Sequence, residues 1–251
     1  MNGPATPIGT GTTPALATLY IFPHAGGSAT FYVPLAKAFS ADIQRVAVQY
    51  PARGDRGLTQ LPSIPEFADE IFSLMAPGMA SGAATERPVA FFGHSMGGLL
   101  AFEVALRFQA AGQPIEALFV SACAAPGHIR YKELQGSDLD ILTVVAQVTG
   151  TNPDVLANDD FAARILPTLQ SVRAIAGYDR APGVTVSCPI HAFVADNDII
   201  VAPENMTAWA DRTTAEFTLQ KFAGDHFYLT EHLSELAKNV EDRLLDRRGP
   251  N

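Results

Sequence analysis

The chain has 251 residues, 47% of them hydrophobic, with a formal net charge of −9 and two cysteines. That is enough apolar material for one large domain, or for one domain with a sizeable insertion. The acidic balance argues against nucleic acid as a partner, two cysteines exclude a disulfide framework, and no apolar run is long enough to span a membrane.

In chain order, residues 1–13 are rich in Gly, Pro and Thr and carry no Lys or Arg. They read as a flexible tail and lack the charged start and apolar stretch of a secretion signal. Strand-like apolar runs follow at 18–22, 45–49, 89–92, 117–121, 190–194 and 217–222. Helical periodicity fills the gaps at 31–39, 64–75, 98–111, 203–210 and 234–245. Strand–helix alternation implies an α/β fold, a mostly parallel sheet with helices on both faces. Several strands are continuous apolar runs, as expected when both faces are covered. Cys123 and Cys188 each sit beside an expected strand and read as small core residues. They suit a reducing compartment, so the expected location is cytoplasmic.

One interval breaks the rhythm. Residues 126–182 offer no clear strand but two or three helix-like pieces, near 138–148, 161–165 and 168–176. That is too long for a simple loop in a compact domain. It is expected to form a helical lid over the carboxyl ends of the strands, inserted into a core of residues 14–125 and 183–251.

The chemistry is concentrated at Gly93-His94-Ser95-Met96-Gly97. This Gly-x-Ser-x-Gly pentapeptide lies between an apolar strand and a helix, the nucleophile-elbow arrangement. The turn lifts the serine hydroxyl clear of the sheet, and its glycines let the helix pass close to the strand. The Met96 amide then sits at a helix N-terminus, where unpaired N–H groups favour negative charge. A second such donor is expected from the loop Phe22-Pro23-His24-Ala25-Gly26-Gly27-Ser28, with the Ala25 amide the best placed. That loop lacks the lysine and spacing of a phosphate-binding loop.

A serine hydroxyl needs a base. In this type of sheet the chain order is serine, carboxylate, histidine. Of six histidines, His226 stands out, because it follows the last strand in the loop Ala223-Gly224-Asp225-His226. A loop at the carboxyl edge of the sheet can bring an imidazole over the nucleophile. His94 points away from its neighbour, His24 and His128 lie in other loops, His191 lies in a strand and His232 near the last helix. The carboxylate should follow the preceding strand, in Ala195-Asp196-Asn197-Asp198. Asp198, deeper in the loop before an apolar pair, is preferred, and Asp196 remains open.

At this point the sequence resembles a known family. Phe22-Pro23-His24-Ala25-Gly26-Gly27, Pro51-Ala52-Arg53-Gly54, Phe92-Gly93-His94-Ser95-Met96-Gly97-Gly98 and Gly224-Asp225-His226-Phe227-Tyr228-Leu229 are similar in wording and order to motifs of the type II thioesterases. The likeness is strongest to actinobacterial members, mycobacterial ones included, and runs over residues 16–245. It implies an α/β-hydrolase that removes acyl groups from the phosphopantetheine thiol of carrier proteins in nonribosomal peptide and polyketide biosynthesis. It also implies Ser95, Asp198 and His226 as a triad. Val194-Ala195 and Asp198-Ile199 depart from the family's usual wording and keep the Asp196 alternative alive. No metal or cofactor is expected, since the phosphopantetheine arrives with the substrate.

On this reading Phe31, Leu142, Val145, Phe161, Leu166 and Leu169 line the acyl site, although such residues are commonly just core. Arg53, Arg56, Arg130 and Lys132 form a local basic patch for docking an acidic carrier protein. A monomer is expected. The alternatives are a carboxylesterase or lipase, or an acyl-CoA thioesterase, on the same fold, because one scaffold hosts all of them.

Overall fold

The computed structural model describes residues 5–8, 15–50, 63–80, 87–128, 137, 140, 141, 143, 144 and 172–245. Seven strands among them build one sheet: β1 (Ala5–Ile8), β2 (Ala17–Phe22), β3 (Ile43–Val48), β4 (Val89–His94), β5 (Ala117–Ser121), β6 (Ile190–Ala195) and β7 (Phe217–Phe222). Their order is β1-β3-β2-β4-β5-β6-β7, which puts β4 in the middle. Every pairing from β3 through β7 is parallel, and β1 alone runs antiparallel, against β3.

Within the expected tail of residues 1–13, residues 5–8 are described, and they form β1. Ala5 pairs with Val48 and Ile8 with Arg45, so backbone hydrogen bonding to the open edge of β3 recruits a segment with little strand character of its own.

The period of two divides the strands between two cores. Phe91, Leu118, Val120, Ile190 and Val194 face one core, shared with the helices α2 (Ile64–Ala80) and α3 (Met96–Ala110). Leu19, Ile21, Phe92, Phe119 and Phe193 face the other, shared with α1 (Val33–Ala38) and α5 (Leu233–Leu245). Phe91, Phe92, Phe119 and Phe193 are wholly buried, each adding about 2 kcal/mol of apolar burial. α2 starts at a capping box: the Ser63 N–H donates to Glu66 Oε2 at 2.8 Å, and the Glu66 N–H returns to Ser63 Oγ at 3.4 Å. The expected helix at 203–210 divides into α4 (Pro203–Thr207) and a 3-10 turn, Ala208–Arg212.

Of the expected lid, residues 126–128, 137, 140, 141, 143, 144 and 172–182 are described. The buried Arg212 guanidinium donates to the carbonyls of Pro126, Arg180 and Ala181. One side chain therefore ties both ends of the 126–182 interval to the same point of the core.

Candidate active site

Ser95 joins the central strand β4 to α3. Its backbone sits at φ 54°, ψ −124°, a conformation that costs a non-glycine residue about 1–3 kcal/mol and persists only where the surroundings enforce it. The enforcement is visible. The Ser95 N–H donates to the Ser121 carbonyl of β5 at 2.8 Å, and its own carbonyl accepts from the Gly98 N–H at 2.8 Å. A Cβ at Gly93 would lie 2.2 Å from the Gly97 carbonyl oxygen, and one at Gly97 would lie 2.0 Å from the Phe22 oxygen. Only glycine lets α3 cross the strand ends this closely.

That close approach sets the start of α3 against the loop after β2, in which Ala25 lies. Gly97, next to Met96, lies against the backbone of Phe22 and Pro23, two residues before Ala25. Among the described residues neither the Ala25 nor the Met96 backbone N–H has a hydrogen-bond partner. Met96 itself is buried. Amides without a partner are the kind of donor that a site for developing negative charge requires.

The loops after β6 and β7 supply the acid–base pair. His226 Nδ1 lies 2.8 Å from Asp198 Oδ2, with the Asp198 side chain fully buried. The other Asp198 oxygen accepts from the Ile200 and Val201 N–H groups at 2.8 and 3.1 Å. Those two bonds aim the carboxylate. Asp196 does something else: exposed, it accepts from the Gly224 N–H at 3.0 Å and so braces the loop that carries His226. The hydrogen bond to the imidazole thus goes to the preferred aspartate, leaving Nε2 as the ring's other nitrogen.

Around this pair lie groups whose part the sequence did not reveal. The His94 ring centroid is 5.2 Å from that of His226, and His94 Nδ1 lies 2.9 Å from Ser121 Oγ, itself 2.7 Å from the Tyr228 hydroxyl. His24, set aside as belonging to another loop, reaches the same place: its ring is 6.0 Å from His94 and 5.0 Å from Phe227. Burial, with the His226 charge nearby, holds His24 down to about 4. Burial puts His94 well below the usual imidazole range, His226 and His24 adding to it. Both rings are neutral at pH 7. Their only sequence signal was position at the carboxyl ends of β2 and β4.

Phe31 is 37% exposed and meets the His24 ring at 4.7 Å and Phe227 at 5.7 Å, so an apolar wall borders the site. Leu142, Val145, Phe161, Leu166 and Leu169, and the basic residues Arg53, Arg56, Arg130 and Lys132, lie outside the described residues. Among the described residues no cluster of three His, Cys, Asp or Glu could hold a metal ion, and no helix is long and apolar enough to cross a membrane.

A strained serine between the central strand and helix of a parallel sheet, followed in chain order by an aspartate and a histidine bonded to each other, defines an α/β-hydrolase. The comparisons narrow the class. The thioesterase-domain family model matches residues 17–244, and the chain belongs to that family: it is a type II thioesterase, a hydrolase of thioesters. It is 55% identical over 239 residues to thioesterase TesA of Mycobacterium leprae (strain TN), covering 94% of this chain and 89% of that protein. It is likewise 55% identical over 226 residues to TesA of Mycobacterium marinum (strain ATCC BAA-535 / M), covering 89% of each. Among solved structures, the type II thioesterase BorB from the borrelidin biosynthetic cluster superposes with a TM-score of 0.79 at 37% identity, over 96% of this chain and 97% of that one.

Proposed function

We propose that this thioesterase frees acyl groups from the phosphopantetheine thiol of carrier proteins in nonribosomal peptide or polyketide assembly, by way of an acyl-serine on Ser95. The observation that carries the reading is the 2.8 Å bond from His226 Nδ1 to the buried Asp198 carboxylate, in a fold whose serine is held strained at the end of β4. An Asp-bound Nδ1–H fixes the imidazole tautomer and leaves Nε2 basic.

In the first half-reaction Nε2 of His226 takes the Ser95 proton as the hydroxyl attacks the thioester carbonyl. The Met96 and Ala25 amides hold the oxyanion, each worth about 3 kcal/mol in comparable sites. The C–S bond breaks, the thiolate departs and takes up the proton from the imidazolium, and Ser95 is left acylated. Water, deprotonated by His226, then attacks the ester; the acyl C–Oγ bond breaks, the imidazolium returns its proton to Ser95 Oγ, and the free acid leaves. Asp198 remains ionised throughout and stabilises the imidazolium. Phe31 and Phe227 present apolar surface to the arriving chain.

The carrier is the partner this reading requires. A chain of net charge −9 gains no overall attraction to an acidic carrier, so docking falls to local groups, for which Arg53, Arg56, Arg130 and Lys132 are the proposal. Cys123 and Cys188 are buried and in no disulfide, which supports a reducing, cytoplasmic setting. Parallel rates on an acyl carrier protein, the matching acyl-CoA and the matching oxygen ester test the assignment. The carrier-bound thioester is expected to have the highest kcat/KM. An oxygen ester or acyl-CoA turned over faster would favour the carboxylesterase or acyl-CoA thioesterase readings.

A further inference from the structure

The loop that carries Ala25 contains Gly26 at φ 73° and Gly27, a composition that leaves a free chain many conformations. Its aim is set from outside. The Tyr50 hydroxyl donates to the Pro23 carbonyl at 2.7 Å, and the Tyr32 hydroxyl accepts from the His24 N–H at 3.1 Å. Pro23 C=O and His24 N–H are the two ends of one peptide group. Two phenols, one from the end of β3 and one from the turn before α1, therefore grip a single peptide plane from opposite sides.

The next plane follows from the first. The His24 carbonyl accepts from the Gly27 N–H at 2.9 Å. In a trans peptide the C=O and the following N–H point in opposite directions, and the chain has no cis bonds among the described residues. The Ala25 N–H therefore points away from Gly27. Tyr32 adds a second hold. It is wholly buried, and its hydroxyl lies 2.8 Å from His24 Nδ1. With the His24 amide donating to that oxygen, the single phenol proton is left for Nδ1.

We infer that Tyr32 and Tyr50 are positioning residues of the reaction: by clamping the Pro23–His24 peptide they hold the Ala25 amide where the oxyanion forms. This rests on the proposed reading of Ala25 as an oxyanion donor. Neither phenol touches the reacting atoms.

The test is steady-state hydrolysis of an acyl carrier protein by Tyr32→Phe and Tyr50→Phe, with Tyr20→Phe as a core-tyrosine control and Ser95→Ala beside them. Loss of aim at one donor is expected to lower kcat by about ten-fold or more, below the full loss of a donor. KM and the pH profile stay unchanged, because ground-state binding and the Asp198–His226 pair are untouched. Labelling of Ser95 by a fluorophosphonate slows in parallel, and Tyr20→Phe behaves as wild type. If Tyr32→Phe fails to fold, Tyr50→Phe decides, since it releases the other end of the same peptide. Wild-type kcat in the Phe variants, or a change confined to KM, with Ser95→Ala inactive overturns the inference and leaves the site reading standing. Wild-type activity in Ser95→Ala overturns the site reading itself.

Discussion

At the scale of single residues, the site depends on which oxygen meets which hydrogen. Asp198 and Asp196 sit two positions apart in one loop, yet one bonds the imidazole and the other braces Gly224. Asp198→Asn is expected to lower kcat on the order of 10⁴-fold, because an amide cannot hold the productive tautomer. Asp196→Asn should keep kcat/KM within about ten-fold of wild type, and comparable losses from both would contradict these roles. Glycines separate in the same way. Gly97→Ala places a methyl 2.0 Å from backbone oxygen that cannot move aside, so thermal denaturation should show a loss above about 3 kcal/mol. Gly78→Ala meets nothing within 4 Å in α2 and should gain about 0.5 kcal/mol. Ser95 and His226 were legible in the sequence because each follows an apolar strand at a glycine turn. The choice between two aspartates was not, since the bonds from Ile200 and Val201 that orient Asp198 belong to the folded loop.

At the scale of elements, α3 starts at the strained Ser95 and holds a buried carboxylate, Glu103, about two turns on. Glu103 is fully buried and accepts from Arg107, Arg180 and the Tyr178 hydroxyl. Burial pushes its pKa up, but those hydrogen bonds outweigh it, and Glu103 titrates below the ordinary range. Arg107 continues to Asp69 and to the Pro65 carbonyl, so α2, α3 and the chain at 178–180 are tied to one anion. Glu103→Ala should cost about 3 kcal/mol in a urea titration, by leaving cations without their partner; a cost below about 1 kcal/mol would contradict the tie. Glu103 among the apolar residues of α3 was the available signal, and periodicity alone could not say what answered it. β1 escaped notice for a related reason: its stability lies in pairing with the edge of β3, not in its own composition. Acid should weaken the loops after β2 and β4. Unfolded imidazoles protonate near pH 6.5, whereas burial holds His24 in the fold down to about 4 and keeps His94 well below the ordinary range. The unfolded chain therefore binds more protons in that window, and stability falls as pH drops from 6.5 towards 4. Urea midpoints that stay flat between pH 6.5 and 4.5 would contradict this.

At the scale of the whole molecule, the strand–helix alternation revealed the parallel sheet and both covered faces, because buried parallel strands must be apolar throughout. Two cores divided by alternate residues follow from that composition. The candidate site sits where the loops from β2, β4, β6 and β7 converge at one rim, so that His24, His94, Asp198 and His226 lie side by side although they are far apart in the sequence. The lid expectation rests on the length of the 126–182 interval, and Arg212 fixes its two ends. Arg212→Ala should destabilise the fold by about 2 kcal/mol in calorimetry, since three carbonyls lose a charged donor; an unchanged transition would show that the ends hold without it. Whether Ser95 carries the acyl group is read by mixing acyl carrier protein with enzyme, quenching early and weighing the intact chain. A mass increase of one acyl group on Ser95 is expected in the wild type, with neither adduct nor hydrolysis in Ser95→Ala. Hydrolysis by Ser95→Ala at the wild-type rate, or an adduct on another residue, would contradict it.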